Sequence, residues 1–216
     1  MEKEEIKKAI DELKQKSKKR NFSQTYDMII NLKDLDFKKP EQQVDFFLQL
    51  NHGLGRKVKV CAFVGPESKE NAEAACDKVI LEDDFLQYKD KKLVKKLANE
   101  FDFFIAQANL MAKVAATFGR VLGTRGKMPN PKAGCVFPPK GNLKPLYEKL
   151  QKTIKLSAKK DPIIHCKIGK EDMPDEEIID NIILVYNQVI HHLPKEKNNM
   201  KSVYIKLTMS EPLKIM

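Results

Sequence analysis

Residues 121–134 read VLGTRGKMPNPKAG: three glycines, two prolines, three basic residues and no acid. Glycine-rich backbone beside a lysine is how phosphate-binding loops are built, so nucleotide chemistry is the first reading to test. A P-loop has four residues between its glycines and a Ser or Thr directly after its lysine, whose hydroxyl holds the magnesium ion. Here two residues separate Gly123 from Gly126, and Met128 follows Lys127. The turn FVGPES, after the first apolar strand of the middle region, lacks the G-x-G-x-x-G of a dinucleotide fingerprint. What the stretch supplies is stiff backbone. Gly123, Gly126 and Gly134 admit dihedrals that other residues resist, and Pro129 and Pro131 push Met128 and Asn130 to extended geometry. Arg125, Lys127 and Lys132 are then either displayed at set positions for phosphate contact or belong to the solvated face of an ordinary loop.

The other reactive residue types are scattered. His191 and His192 are neighbours on a helix, and His165 and Cys166 neighbours on a strand, so each pair points apart. Cys61, Cys76, Cys135 and Cys166 are irregularly spaced and form no C-x-x-C, which indicates neither a zinc knuckle nor a redox pair. They read as reduced thiols packed as small apolar groups. No nucleophile–base–acid set and no carboxylate pair at metal spacing is present. The expectation is a protein without catalytic residues, metal or cofactor.

Charge points elsewhere. The balance is +10, which suits a polyanion, either nucleic acid or an anionic membrane surface. From Phe103 to Tyr147 there is no Asp or Glu, while Lys113, Arg120, Arg125, Lys127, Lys132, Lys140 and Lys144 all fall in that window. Such a window fits phosphate contact. No apolar run approaches a membrane span, and the N-terminal residues carry charges where a signal peptide has its apolar core. The chain reads as cytosolic.

The elements that must position these residues come in two styles. Ile6, Ile10, Leu13 and Ser17 lie at helical spacing in 4–18, a helix ending in the basic run KQKSKKR. Strands are expected at 23–33 and 42–55, the second with Val44, Phe46, Leu48 and Leu50 on one face. The middle alternates apolar strands (VKVCAFVG, KVILE, DFFIAQ) with helices at 67–76, 89–101 and 108–121, which means parallel β/α/β units. A helix NLKPLYEKLQK follows. Strands TIKLSAK and PIIHCKIGK come next, then an apolar-striped helix carrying Ile178, Ile182, Tyr186, Val189 and Ile190. Its first turn holds Asp175, Glu176 and Glu177, where negative charge is favourable. The last strand, KSVYIKLTM, puts Ser202, Tyr204, Lys206 and Thr208 on one face and Val203, Ile205 and Leu207 on the core. The remaining SEPLKIM reads as a loose tail. The chain is thus expected to be an α+β two-domain protein: a domain built from both ends, 1–57 and 154–216, with an α/β domain inserted at 58–153 and a hinge at the two connections.

VLGTRGKMPNPKAG closely resembles the glycine–proline loop of the universal large-subunit ribosomal protein L-one family. NFSQTYDMIINLKDLDFKKPE, HGLG, DFFIAQANLM, IIHCKIGKEDMPDEEIIDNI and SVYIKLTM match in the same order. The resemblance spans almost the whole chain, and KKPE and GKMP look most like the archaeal branch. It implies a split β-α-β sandwich for the domain of the two ends and a Rossmann-like three-layer α/β/α insertion without a cofactor. It also implies binding to the lateral-stalk segment of large-subunit ribosomal RNA, beside exit-site tRNA, and repression through an own-mRNA leader. Outside the ribosome the implied state is a monomer. The RNA contacts that carry over by matching position are Phe22, Thr25, Asp27, Gly169, Ser202, Thr208, Met209 and Ser210. Three departures stand out: Thr124 replaces a family proline, Asn51 replaces another, and Ser210 replaces a glycine. That glycine implies either a left-handed backbone, in which a serine would be strained unless the tail shifts, or a close approach to RNA.

Overall fold

A computed structural model describes residues 3–139 and 141–216 and shows a mixed α/β chain with three sheets. Lys140, part of the acid-free window, lies outside the described residues. In chain order the elements are α1 (Lys3–Lys16), β1 (Thr25–Leu32), β2 (Val44–Gln49), β3 (Val60–Val64), α2 (Lys69–Ala75), β4 (Lys78–Leu81), α3 (Lys91–Glu100), β5 (Phe103–Gln107), α4 (Met111–Leu122), β6 (Val136–Phe137), α5 (Lys144–Gln151), β7 (Thr153–Ala158), β8 (Ile163–Lys170), α6 (Asp175–His192), β9 (Met200–Leu207) and β10 (Leu213–Lys214). Contacts group them into two compact units, Met1–Arg56 with Lys152–Met216, and Lys57–Gln151.

In the first unit an antiparallel sheet runs β10-β9-β1-β8, beside the two-stranded β2-β7 pair. β1 shows why only one face is covered. Tyr26, Met28, Ile30 and Leu32 are at most 3% exposed, whereas the alternate Thr25, Asp27, Ile29 and Asn31 are half-exposed. The buried face meets two helices. α1 buries Ile6, Ala9, Ile10 and Leu13, and α6 buries a stripe from Ile178 to Ile190. The helices lie side by side, with Lys14 Nζ 2.6 Å from Asp175 and Lys3 Nζ 3.0 Å from Asp180. Fully buried, each aliphatic side chain contributes about 1.5–3 kcal/mol. Asn181 is the polar exception in α6. Its amide donates to Ile168 O and His52 O and accepts from His52 N, so the buried side chain is satisfied and the Asn51–Gly55 segment is tied down.

The end of the chain differs from the expectation of a loose tail. β9 stops at Leu207, residues 208–210 turn, and β10 returns antiparallel with Leu213 opposite Ile205 and Lys214 opposite Tyr204. Val203 N donates to Met216 O and Ile215 N to Val203 O, both at 2.9 Å. A stretch this short carries no readable period, and it gains its order only from the edge of β9.

The second unit is a parallel sheet, β4-β3-β5-β6. β3 is buried along its whole length, as strands covered on both faces are. Phe63, Phe85, Phe104 and Phe118 meet in its core, with Phe63 and Phe118 centroids 4.6 Å apart. Phe85 comes from a 3-10 segment, Glu82–Lys89, that the sequence pattern did not predict. The two-residue β6 was also missed. The helix expected at 67–76 is a 3-10 turn, Pro66–Ser68, followed by α2.

Candidate nucleic-acid interface

The face of β10-β9-β1-β8 opposite α1 and α6 is the candidate surface. Register sets its rows. Lys167, Asp27 and Lys206 are opposite one another across three strands, and so are His165, Ile29, Tyr204 and Lys214 across four. Ile163, Asn31 and Ser202 form the next row, where Asn31 Nδ2 donates to Ser202 Oγ at 2.9 Å. A shallow depression of about 350 Å³ is lined by Asp27, Ile29, His165, Lys167 and Lys206.

Asp27 is the electrostatic oddity. Partial burial raises its carboxyl above the ordinary Asp value, against the opposing pull of Lys167, Lys206 and His165. Among the described residues the carboxylate has no hydrogen bond and no ion pair. An acceptor held in this way, with cations near but not on it, is ready for a donor from outside.

At one end of the face the chain forms a rim. Thr208 Oγ1 accepts from Thr25 N at 3.0 Å. Gln24, 1% exposed, accepts from Met209 N at 3.1 Å and donates to Ser17 Oγ at 3.1 Å, while its backbone exchanges hydrogen bonds with Glu171. Through its amide and its backbone this one buried residue therefore ties together Ser17 just past α1, Glu171 just past β8 and the 208–210 turn. Phe22 and Met209 are 52% and 59% exposed. Large apolar side chains left in water beside basic residues are what stacking on bases or sugars uses.

Ser210 is not strained. Among the described residues only Asp34 and Glu196 combine a side chain with positive φ. Instead Ser210 Oγ accepts from Leu207 N at 2.8 Å, closing the turn that its own N–H also closes onto Leu207 O. The left-handed alternative is thus not adopted, and the serine acts as a cap. Gly169 has a packing reason of its own: a Cβ there would sit 2.9 Å from Met173 Sδ.

The carried-over residues therefore fall in three places. Thr25, Thr208, Met209 and Ser210 meet at the rim, and Asp27 lies one row inward. Ser202 stands at the far end of the same face, joined to Asn31. Gly169 pairs with Tyr26 at the irregular step in the β1–β8 register. Sequence reading missed Gln24, Ile29, Lys167 and Lys214. Alternation in TYDMIINL was the available signal, since it marks Asp27 and Ile29 as one face.

The basic loop belongs to the other unit and is tied to its own α3. Lys127 Nζ donates to Ala98 O at 2.9 Å and Phe101 O at 2.7 Å, serving the orphan carbonyls at the end of the helix. Arg125 bonds Asn99 Oδ1, while Lys132 is exposed. Gly126 and Gly134 have φ of 64° and 74°, whereas Gly123 is helical and needs no glycine dihedral. Thr124, which stands where the family has a proline, donates its hydroxyl to Val121 O at 3.0 Å. In the same unit, Gln107 spans the crevice between the carboxyl ends of β3 and β5, accepting from Gly65 N at 2.8 Å. Open parallel sheets take their ligands at such a crevice.

Cys61, Cys135 and Cys166 are buried and Cys76 is half-buried, all as free thiols. Burial pushes Cys166 up to about 12 and Cys76 and Cys135 up to about 11, so they are protonated packing groups. Among the described residues no His, Cys, Asp and Glu cluster is placed to hold a metal, and no helix is long and apolar enough to cross a membrane.

The sequence pattern of the ribosomal protein L1p/L10e family matches residues 13–211. The chain is similar to proteins named large ribosomal subunit protein uL1. Identity is 41% to that of Methanothermococcus thermolithotrophicus, covering 100% of this chain and 99% of the relative. It is 42% to that of Nanoarchaeum equitans, covering 96% and 99%, and 40% to that of Thermococcus kodakarensis, covering 96% and 94%.

Proposed function

Because this chain belongs to the ribosomal protein L1p/L10e family, we propose that it is a non-enzymatic constituent of the large ribosomal subunit in the cytoplasm, binding the stalk segment of ribosomal RNA through the open sheet face and its rim. The observation that carries this reading is the single-sided sheet. Two helices cover one face, and the other presents lysines, an aromatic, hydroxyls and an unpaired carboxylate in register. Lysines supply phosphate attraction, while the hydroxyls and carboxylate engage ribose and base edges.

In this reading the two ends build the RNA-binding domain, about 1–57 and 154–216, and 58–153 is an inserted domain. The stalk position puts the protein next to exit-site tRNA, where it assists release of deacylated tRNA. A leader in its own mRNA that mimics the stalk RNA would occupy the same face and repress translation. Supporting the non-enzymatic reading are the relatives' names. The test is sedimentation together with filter binding. The protein should pellet with large subunits and retain a stalk-RNA fragment. If it stays in the supernatant yet binds a messenger leader, it is a free-standing repressor; binding neither RNA defeats the reading.

A further inference from the structure

The second unit carries a cationic surface that the open sheet face leaves unexplained. α3 reads KKLVKKLANE and buries Val94, Leu97 and Ala98. At 3.6 residues per turn those three fall on one side, and Lys92 and Lys96 form the ridge opposite. Lys91 and Lys95 make a second pair on the flank where Arg125 bonds Lys95 O and Asn99 Oδ1. All four lysines are exposed, and among the described residues their ammonium groups have no hydrogen bond and no ion pair. α4 packs beside α3 and adds Arg120, also exposed and with its guanidinium free among the described residues. The outward positions of α4 next to it are Ala112, Ala116 and Gly123, and α4 contains no acid. The result is a basic face with low relief.

This arrangement works against α3 itself. Lys91 and Lys92 stand in the first turn, at the positive end of the helix dipole, where an acid is favourable and none is present. Lys91 with Lys95, and Lys92 with Lys96, are like charges at i,i+4 spacing, which destabilise a helix. Asp90 directs its carboxylate to the Lys92 N–H and so caps the helix without pairing a lysine. A polyanion from outside relieves both conflicts. Lysines at i,i+4 are about 6 Å apart along the axis, close to the step between neighbouring phosphates of one strand. A protein partner fits less well. Protein interfaces are poor in lysine and anchor on Trp, Tyr or Arg, whereas the exposed apolar side chain of α3 is Leu93, on the shoulder away from Lys91 and Lys95. A single strand fits less well too, because its bases stack on aromatic side chains, and neither helix exposes one.

We propose that the α3–α4 face is a second RNA-binding surface, which holds the phosphate backbone of an RNA duplex through Lys91, Lys92, Lys95, Lys96 and Arg120 and reads no sequence. The choice of RNA as the duplex rests on the ribosomal reading; the surface itself does not. Contacts of this kind position a nucleic acid without specifying it, so this face adds a hold on a second RNA while the sheet of the first unit keeps its own.

The experiment saturates the full chain with a stalk-RNA fragment, so that the open sheet face is occupied. A labelled RNA duplex of unrelated sequence, about 16 base pairs long, is then titrated in at one fixed salt concentration. The fourfold variant Lys91→Gln, Lys92→Gln, Lys95→Gln, Lys96→Gln is compared with a charge-matched control, Lys7→Gln, Lys8→Gln, Lys160→Gln, Lys195→Gln, whose lysines are exposed in the first unit. Duplex affinity should fall at least about tenfold in the α3 variant and less than about threefold in the control, and the salt slope of the α3 variant should be shallower by about 3. Its affinity for the stalk fragment should stay within about twofold of wild type, and its thermal midpoint should not fall, since like-charge pairs are removed. Should the fourfold variant unfold, Lys92→Gln with Lys96→Gln decides the matter, with about half the change in slope. Equal losses in variant and control would reduce the effect to net charge and overturn the proposal. So would an α3 variant that keeps its duplex affinity, or a wild type that takes polyglutamate more tightly than the duplex, the mark of a surface for an acidic protein. If the wild type does not bind the stalk fragment, the stalk-RNA reading fails, and the same titration on the free protein still decides this proposal.

Discussion

The Thr208 hydroxyl accepts from the backbone N–H of Thr25 at 3.0 Å, fastening the turn after β9 to the first residue of β1. Thr208 thus shapes the rim as well as facing it. Thr208→Val removes the acceptor at an exposed site where water substitutes, so unfolding stability should fall by less than about 1 kcal/mol. RNA affinity should fall by about 1–3 kcal/mol, the loss when a polar group is left unpaired. Thr208→Ser should keep both. Ser210→Gly removes the acceptor for Leu207 N and should cost about 0.5–1.5 kcal/mol of stability. Urea titrations and filter binding at one salt concentration test all three; a stabilised Ser210→Gly would contradict the cap.

Gly169 and Met173 form a second linked pair. In Gly169→Ala the added Cβ meets Met173 Sδ at 2.9 Å; because the methionine side chain is flexible and can give way, the cost is expected at the low end for overpacking, about 1 kcal/mol. Met173→Ala in the same chain should recover part of that loss. The double-mutant cycle, read by thermal or urea unfolding, should give a coupling of at least about 0.5 kcal/mol. Additivity would mean that the glycine serves something other than Met173.

The pH dependence of Asp27 has a definite sign. Its folded carboxyl is raised above the ordinary value, chiefly by burial, so the folded state holds this proton more tightly than the unfolded chain. Its contribution to stability therefore declines as pH climbs from the unfolded Asp value through the raised folded one. Asp27→Asn abolishes this titration. The stability of the Asp27→Asn variant relative to wild type should be more favourable at pH 7 than at pH 3.5, measured by urea unfolding at both. A difference of the opposite sign would mean that the lysine rows dominate over burial.

Salt reports the lysines. If roughly five phosphates are neutralised, log affinity for the stalk RNA should fall against log salt with a slope of about −3 to −5. Lys167→Ala and Lys206→Ala should each make the slope shallower by about 0.7–0.9. An unchanged slope in both variants would remove those lysines from the phosphate contacts.

Replacing Lys57–Gln151 by a short linker should leave a folded, RNA-binding protein. The carried-over contacts all lie in the unit formed by Met1–Arg56 and Lys152–Met216, and that unit has its own core. A version folded by circular dichroism but unable to bind RNA would assign recognition to the segment removed.

Sequence alone determined what period and composition encode. The alternation in TYDMIINL marks a strand with one buried face, and the stripe from Ile178 to Ile190 marks the helix that covers it. Continuous apolar runs in VCAFV and FFIAQ mark strands buried on both sides. These patterns are local, since each repeats within a few residues, and they survive into the fold. Motif spacing likewise disposed of the P-loop, and matched stretches pointed to the family.

Tertiary structure decided everything that depends on a distant partner. SEPLKIM becomes an edge strand only because β9 offers unpaired backbone groups. Gln24, unremarked as a residue, is a buried junction because three other segments, at Ser17, Glu171 and Met209, converge on its amide and backbone. Lys127 reads in the sequence as either a phosphate contact or part of a solvated loop, and in the fold it serves the end of α3, since helix carbonyls without intrahelical partners attract a cation. Asp27 sits between Lys167 and Lys206 through register across residues far apart in the chain, and no spacing rule within one strand can read the pairing of three.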